Sequence, residues 1–241
     1  MAKHGEMAPG GGPLILALEN SGLRASIALV RPGQCLNELS LHSQETHSKR
    51  LLLALDWLLR ESGVSWEELD GLAISLGPGS FTGLRIGLGT IKGLAMATGK
   101  PLLGVPTLDG LAAQLAFSPQ LICPILDARK KEVYTALYRG SASGELQRLS
   151  DYLVVAPAAL VQTISEPAIL IGDGALLHGE FLKQQLPGLI TCAPAELNFR
   201  RAAAIGALAL KMWDRGEFLD PGSCGPIYVR ASDAELHKKV G

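Results

Sequence analysis

Residues 72–107 read LAISLGPGSFTGLRIGLGTIKGLAMATGKPLLGVPT. The apolar, β-prone run at 72–76 enters a loop with glycines at 77, 79 and 83, and a helical run then continues to Thr98, where Gly99, Lys100 and Pro101 stop it. With the apolar run that ends at Val105, the unit is strand, loop, helix, strand. The loop invites a phosphate, because free backbone N–H groups at a helix start favour an anion. Its spacing fits neither GxGxxG nor GxxxxGK[ST], since Leu84 and Arg85 follow Gly83. Any sharp strand-to-helix turn needs glycine too, so a structural turn is the first reading and a nucleotide cradle the second.

The helix after the loop has two apolar sides. At about 100° per residue, Leu84, Leu88, Ile91, Leu94 and Ala95 share a face suited to a sheet. Opposite lie Ile86, Gly89, Gly93, Met96 and Ala97, edged by Arg85 and Lys92. A helix apolar nearly all round calls for cover on both sides, supplied either by the rest of the chain or by another molecule. Gly89 and Gly93, four apart, would let a second backbone approach closely, by a motif established in membranes. In the upstream helical run 48–61, Leu51, Leu52, Ala54, Leu55, Leu58 and Leu59 form a wide sheet-facing side, leaving Leu53 and Trp57 as a second strip. If the two helices lie side by side, Leu53, Trp57, Arg85, Ile86, Gly89, Lys92, Gly93 and Met96 form one apolar patch rimmed by charge, a partner surface. A partner with the same helix pair would complete a four-helix contact, in a two-fold homodimer or with a similarly folded subunit.

Composition excludes several classes. The 241 residues are 47% hydrophobic and 19% charged, with a formal net charge of −1. That is a globular chain with ample core and no overall pull on nucleic acid. Basic runs at 129–131, 200–201 and 238–239 read as solvated faces. Cys35, Cys123, Cys192 and Cys224 make no CxxC pair, and Cys123 and Cys192, in apolar runs, read as buried thiols of a reducing cytoplasm. No run approaches the ~18 apolar residues of a membrane span, and residues 1–13 lack the apolar region of a secretion signal.

In chain order, strands are expected at 14–18, 25–30 and 35–41, a helix at 48–61, a capping box at Ser65 and Glu68, and after the central unit a helix capped by Thr107. The chain then begins again. Strands are expected at 121–126, 132–138 and 145–155, a helix at 157–164, a strand at 169–171, a helix at 175–185, a strand at 189–192 and a helix at 198–214, followed by a strand-like 227–230. Both halves read strand, strand, strand, helix, strand, helix, strand, helix, with Glu19 and Asp127 closing the first strand of each. The expectation is an α/β protein with two mixed sheets: a tail at 1–13, lobes at 14–117 and 118–230, and a polar tail at 231–241.

This duplicated βββαβαβα order resembles the actin and sugar-kinase superfold, whose ribonuclease-H-like lobes clamp ATP with acidic turns. Within it, the chain resembles the TsaB family of tRNA threonylcarbamoyladenosine synthesis. The matching residues are 16–21, His47 and Ser48, the string GPGSFTGLR with Gly87, residues 92–94, 127–138, Gly172 to Gly174, and 227–230. The resemblance implies a cytoplasmic partner subunit rather than a catalyst, with no cofactor. Such subunits bind TsaD, which transfers the threonylcarbamoyl group to the adenosine beside the anticodon of tRNAs reading ANN codons; the ATPase TsaE joins them. It also implies a homodimer when alone, contact with tRNA only through the complex, and no membrane. The family usually has Asp and Thr where Glu19 and Asn20 stand, a change that would reshape a metal–phosphate turn.

Glu19, Asn20, Ser21 and Asp127 are the vestigial nucleotide-turn candidates; lone carboxylates after strands are commonly turn formers. Catalytic relatives hold a metal with two histidines four apart on a helix, and His4, His42, His47, His178 and His237 contain no such pair. Ser80 lacks the GxSxG elbow of a hydrolase. No catalytic or metal residue is therefore assigned. The alternative is an ATP-dependent enzyme, or a peptidase-like protein, of the actin-like superfold.

Overall fold

The computed structural model describes residues 11–42 and 47–230, the side chains of 47–50 excepted. Residues 1–10 of the expected 1–13 tail, the expected tail at 231–241, the Lys238–Lys239 pair, His4, His237 and the His47 side chain lie outside the described residues.

The first half follows the expected order: β1 (Ile15–Glu19), β2 (Arg24–Arg31), β3 (Gln34–His42), α1 (His47–Glu61), β4 (Gly71–Ser75), α2 (Phe81–Thr98), β5 (Leu102–Val105) and α3 (Thr107–Ala113). Its sheet runs β3-β2-β1-β4-β5, with β1 antiparallel to β2 and parallel to β4. α2 begins at Ser80, whose hydroxyl accepts from Gly83 N, and ends at Gly99 in the left-handed region at φ 68°. Ser65 N donates to the Glu68 carboxylate at 2.7 Å, one arm of the expected capping box. Thr107 does not cap α3. Its hydroxyl accepts from Gly77 N at 3.1 Å, and Pro106 takes the cap position.

The second half repeats the topology with broken strands: β6 (Leu121–Asp127), β7 (Val133–Thr135), β8 (Tyr138–Gly140), β9 (Leu146–Arg148), β10 (Leu153–Val155), α4 (Pro157–Leu160), β11 (Ala168–Ile171), α5 (Asp173–Gln185), β12 (Ile190–Cys192) and α6 (Ala202–Asp214). The main path runs β10-β7-β6-β11-β12, with β8 on β6 and β9 on β8. The runs expected as single strands at 132–138 and 145–155 are interrupted because a side chain enters the ladder: Leu137 N donates to Ser150 Oγ at 2.9 Å, while Leu149 N donates to Leu137 O at 2.7 Å. α6 starts four residues later than expected because Asn198 is used otherwise. Its Oδ1 accepts from Gly172 N, and its amide donates to the carbonyls of Ala193 and Pro194. The segment 227–230 forms no strand; Ile227 N makes one bond to Leu76 O at 2.8 Å. Cys192 is half-buried rather than buried.

Alternating residues of β1 face two cores. Leu14, Leu16 and Leu18 pack with Leu55 and Leu58 of α1 and Leu88 and Ile91 of α2. Ile15 and Ala17, with Ala28 and Val30, pack against Ala202, Ile205 and Ala209 of α6. The second sheet has α4 and α5 on one face. Its other face receives Leu108, Leu111 and Ala112 of α3. The last helix of each half therefore covers the other half's sheet.

Candidate functional site

The two acidic turns were the candidate nucleotide-binding elements, and they differ. Glu19 is buried, and its Oε1 accepts from Ser21 N at 2.6 Å and Ser21 Oγ at 2.5 Å. Asn20 donates through Nδ2 to Gly83 O at 2.8 Å, and Ser80 N donates to Ser21 O at 2.7 Å. The glycine loop thus lies directly on the turn. A Cβ on Gly79 would overlap Ser21 O, and one on Gly83 would overlap Asn20 O. These glycines serve a close backbone approach, and the N–H groups of Gly77, Ser80 and Gly83 already have partners within the chain. Those donors are not available to a phosphate.

At the second turn, Asp127 N donates to Asp173 Oδ1 at 3.0 Å, and Asp127 Oδ1 accepts from Arg129 N at 2.8 Å. Asp173 Oδ2 in turn holds Arg200 Nη2 at 2.6 Å. The Arg200 side chain is only 11% exposed and lies against Gly22, where an added Cβ would strike its guanidinium. Arg200 therefore stands between the two turns as a buried tether, and Arg201 pairs with Glu38 of β3. Arg200 is therefore not the solvated face expected of it, whereas Arg201 is exposed, as expected, while also meeting a carboxylate far away in sequence. No hydrogen bond or ion pair among the described residues joins Glu19 to Asp127. Arg129, Lys130 and Lys131 are exposed, as expected, yet all three have positive φ, at 60°, 52° and 61°.

The helix pair presents the other candidate surface. α1 and α2 pack side by side on the first sheet. Leu53 is 69% exposed, Trp57 48% and Met96 71%. Gly89 and Gly93 are exposed, with no atom within 4 Å of where a Cβ would stand. Ile86 is half-buried. Leu52, expected against the sheet, is 49% exposed, because it lies about 100° around the helix from buried Leu51, at the rim of that face. It widens the apolar strip.

Sequence reasoning missed the wall beside that strip. After α6 the chain returns to the first sheet, with Leu219 N donating to Leu102 O at 2.8 Å, and runs along α2. Lys92 Nζ donates to Cys224 O at 3.0 Å, and the Arg85 guanidinium lies 3.9 Å over the Phe81 ring and 3.4 Å from the Tyr228 hydroxyl. Both charged residues expected at the patch edge are thus braced by residues 224–228. The apolar content of 227–230 was the one hint.

A family model described as TsaD, tRNA N6-adenosine threonylcarbamoyltransferase, matches residues 41–172. A Bacillus subtilis protein named tRNA threonylcarbamoyladenosine biosynthesis protein TsaB is 30% identical over 232 residues, 92% of this chain and 96% of its own length. The chain belongs to the TsaB family. A Pseudomonas aeruginosa crystal structure, described as an uncharacterized protein with similarity to peptidase YeaZ, superposes with a TM-score of 0.76 at 29% identity, covering 90% of this chain and 100% of that one. The Clostridium difficile activator of 2-hydroxyisocaproyl-CoA dehydratase, solved with bound ADPNP, reaches a TM-score of 0.52 at 10% identity, over 89% of this chain and 99% of that one. That likeness shows the fold alone, the duplicated α/β order of the actin-like ATPase superfold. In this TsaB-family chain the first acidic turn is packed shut by its own glycine loop.

Proposed function

We propose that the chain is a non-catalytic subunit of the assembly that forms N6-threonylcarbamoyladenosine beside the anticodon of tRNAs reading ANN codons. It acts by docking a TsaD-type transferase on the α1–α2 face, with TsaE joining the pair, in the cytoplasm and without a cofactor of its own. The bare strip of Gly89 and Gly93, flanked by exposed Leu53, Trp57 and Met96, carries the reading. A contiguous apolar surface beside an open small-residue groove suits a partner helix rather than water. Its self-complementary layout also suits a homodimer when the partner is absent, so homodimer and heterodimer compete for one face. An ATP-dependent or peptidase-like activity finds less support, since the loop donors that would meet a phosphate are bonded within the chain.

Gly93→Arg places a charged side chain in the groove. It should abolish both self-association by light scattering and capture of TsaD while leaving the circular dichroism spectrum unchanged. Trp57→Ala should weaken capture by about 2 kcal/mol or more if the indole is a buried anchor. An unchanged dimer that still captures TsaD would place the interface elsewhere, and tRNA modification by the chain without TsaD would overturn the non-catalytic reading.

A further inference from the structure

α2 carries two cations and no carboxylate. The cations, Arg85 and Lys92, stand about 10 Å apart along the axis on nearly the same side of the helix. Both line a groove of about 620 Å³ between Gly89, Gly93 and Met96 of α2 and the returning segment 224–228. Each is held there by uncharged groups alone. Lys92 Nζ donates to Cys224 O at 3.0 Å, and the Arg85 guanidinium lies over the Phe81 ring, 3.4 Å from the Tyr228 hydroxyl. A carbonyl or a ring face orients a cation without neutralising it. Asp220, which feels the Lys92 charge, is itself bonded to Ser223 Oγ at 2.7 Å and Gly222 N at 3.0 Å. Among the described residues no carboxylate forms an ion pair with Arg85 or Lys92.

The neighbouring α1 does not supply the missing charge. Its Asp56 is paired with Arg60 one turn on, and Glu61 is its other acid. By sequence the two helices carry Lys49, Arg50, Arg60, Arg85 and Lys92 against Asp56 and Glu61, in a chain whose formal net charge is −1. The face is therefore apolar along the middle and cationic at one edge, and the edge cations are already oriented for a carboxylate, which lowers the ordering cost of meeting one. A second copy answers this poorly. A two-fold contact centred between Gly89 and Gly93 puts residue 91 on the axis and Lys92 beside it, so the second copy brings its own Lys92 into the same region. Like charges so placed select against a pairing, whereas opposite charges speed encounter and fix register.

We propose that Arg85 and Lys92 are the specificity determinants of the α1–α2 face. They select a partner helix that presents carboxylates about two turns apart and disfavour a second copy of this chain. This rests on the reading of the face as the docking site for a TsaD-type subunit, and it adds what decides between that subunit and self-association.

The test uses the full chain, with TsaD as the probe and self-association measured in parallel, between about 50 and about 500 mM salt, where the screening length shrinks severalfold. The rate of TsaD association should fall about tenfold with salt, and the homodimer should hold or tighten. Arg85→Gln combined with Lys92→Gln should bind TsaD about tenfold more weakly at low salt, lose most of the salt dependence and self-associate more tightly. Lys92→Arg should behave as the wild type does. In a third arm, a labelled copy carrying Arg85→Glu and Lys92→Glu is mixed with the wild type. The mixed dimer should be favoured about tenfold over either homodimer at low salt, and the preference should fade at high salt. Circular dichroism verifies that each variant is folded, and the glutamine variant keeps the test decisive if the glutamate one is not. Wild-type TsaD affinity and salt dependence in the glutamine variant would overturn the proposal. A homodimer that weakens with salt as the TsaD complex does would overturn it too, as would a folded glutamate copy with no preference for the wild type. Failure of the wild type to capture TsaD would sink the docking reading alone, because the mixed-dimer arm scores the charge rule separately; failure to self-associate as well would overturn both.

Discussion

The turns after β1 and β6 occupy equivalent places in the two halves and are built in opposite ways. The first is sealed: Glu19, Asn20 and Ser21 are buried, Glu19 Oε1 is met by Ser21 and the Asn20 amide by Gly83 O, Glu19 Oε2 is left without a partner, and the glycine loop fits against the turn only because Gly79 and Gly83 carry no side chain. The second is open, with Asp127 half-buried and three exposed cations on a left-handed backbone. Duplication preserves where a turn must come, because sheet topology dictates it, but not what the turn presents. In a lobed clamp both turns face the ligand; here one has become core and the other surface.

The contrast can be broken most severely at the sealed turn. Gly83→Ala forces a methyl group into the Asn20 carbonyl and should cost about 3 kcal/mol in urea denaturation. Gly89→Ala, with open space around it on α2, should instead be neutral or stabilise by about 0.5–1 kcal/mol. If both behave alike, the close approach is not what selects glycine in the loop.

Asn20→Ala removes the buried amide bond to Gly83 O and should destabilise by about 1–3 kcal/mol, whereas Asp127→Asn at the open turn should cost about 1 kcal/mol or less. Equal losses would erase the distinction between the turns. The link between them is tested by a double-mutant cycle. Gly22→Ala should be damaging with Arg200 present and tolerated in Arg200→Ala, with a coupling of about 1 kcal/mol or more. Additive effects would mean that Arg200 does not bridge them.

A smaller effect lies outside both turns. The Tyr138 and Tyr152 hydroxyls both donate to Asp109 Oδ1, at 2.6 and 2.8 Å, which ties α3 to the second half. Burial, followed by the Asp109 charge, raises both phenols well above their ordinary range. A raised folded value means that the contribution is complete below the unfolded phenol value of about 10 and is lost as pH rises through the folded one. Stability measured from pH 8 to 11 should therefore fall at the alkaline end, and less steeply in Tyr138→Phe.

Much of the framework was legible in the sequence for identifiable reasons. The first half announces itself through clean apolar periodicity and Gly99, a stop that works because glycine accepts φ 68°. What escaped were side chains doing backbone work: the Ser150 hydroxyl entering a ladder, the Asn198 amide delaying α6, and the Thr107 hydroxyl holding Gly77. Of the candidate site, the apolar strips of α1 and α2 could be read because helical spacing reports which side chains point away from a sheet. Arg200 could not, since its partner Asp173 and its neighbour Gly22 are brought to it only by the tertiary fold. Nor does periodicity say which of two sheets a helix will cover.

That last ambiguity bears on how the chain comes off the ribosome. The helix that shields Ile15, Ala17, Ala28 and Val30, Ala202–Asp214, is translated about 170 residues after them. At roughly 5–20 residues per second the nascent sheet waits on the order of 10–40 s with one greasy side bare. In that interval the bare side is exposed apolar surface open to aggregation, and a ribosome that stalls after α5 leaves a product without the helix that buries it.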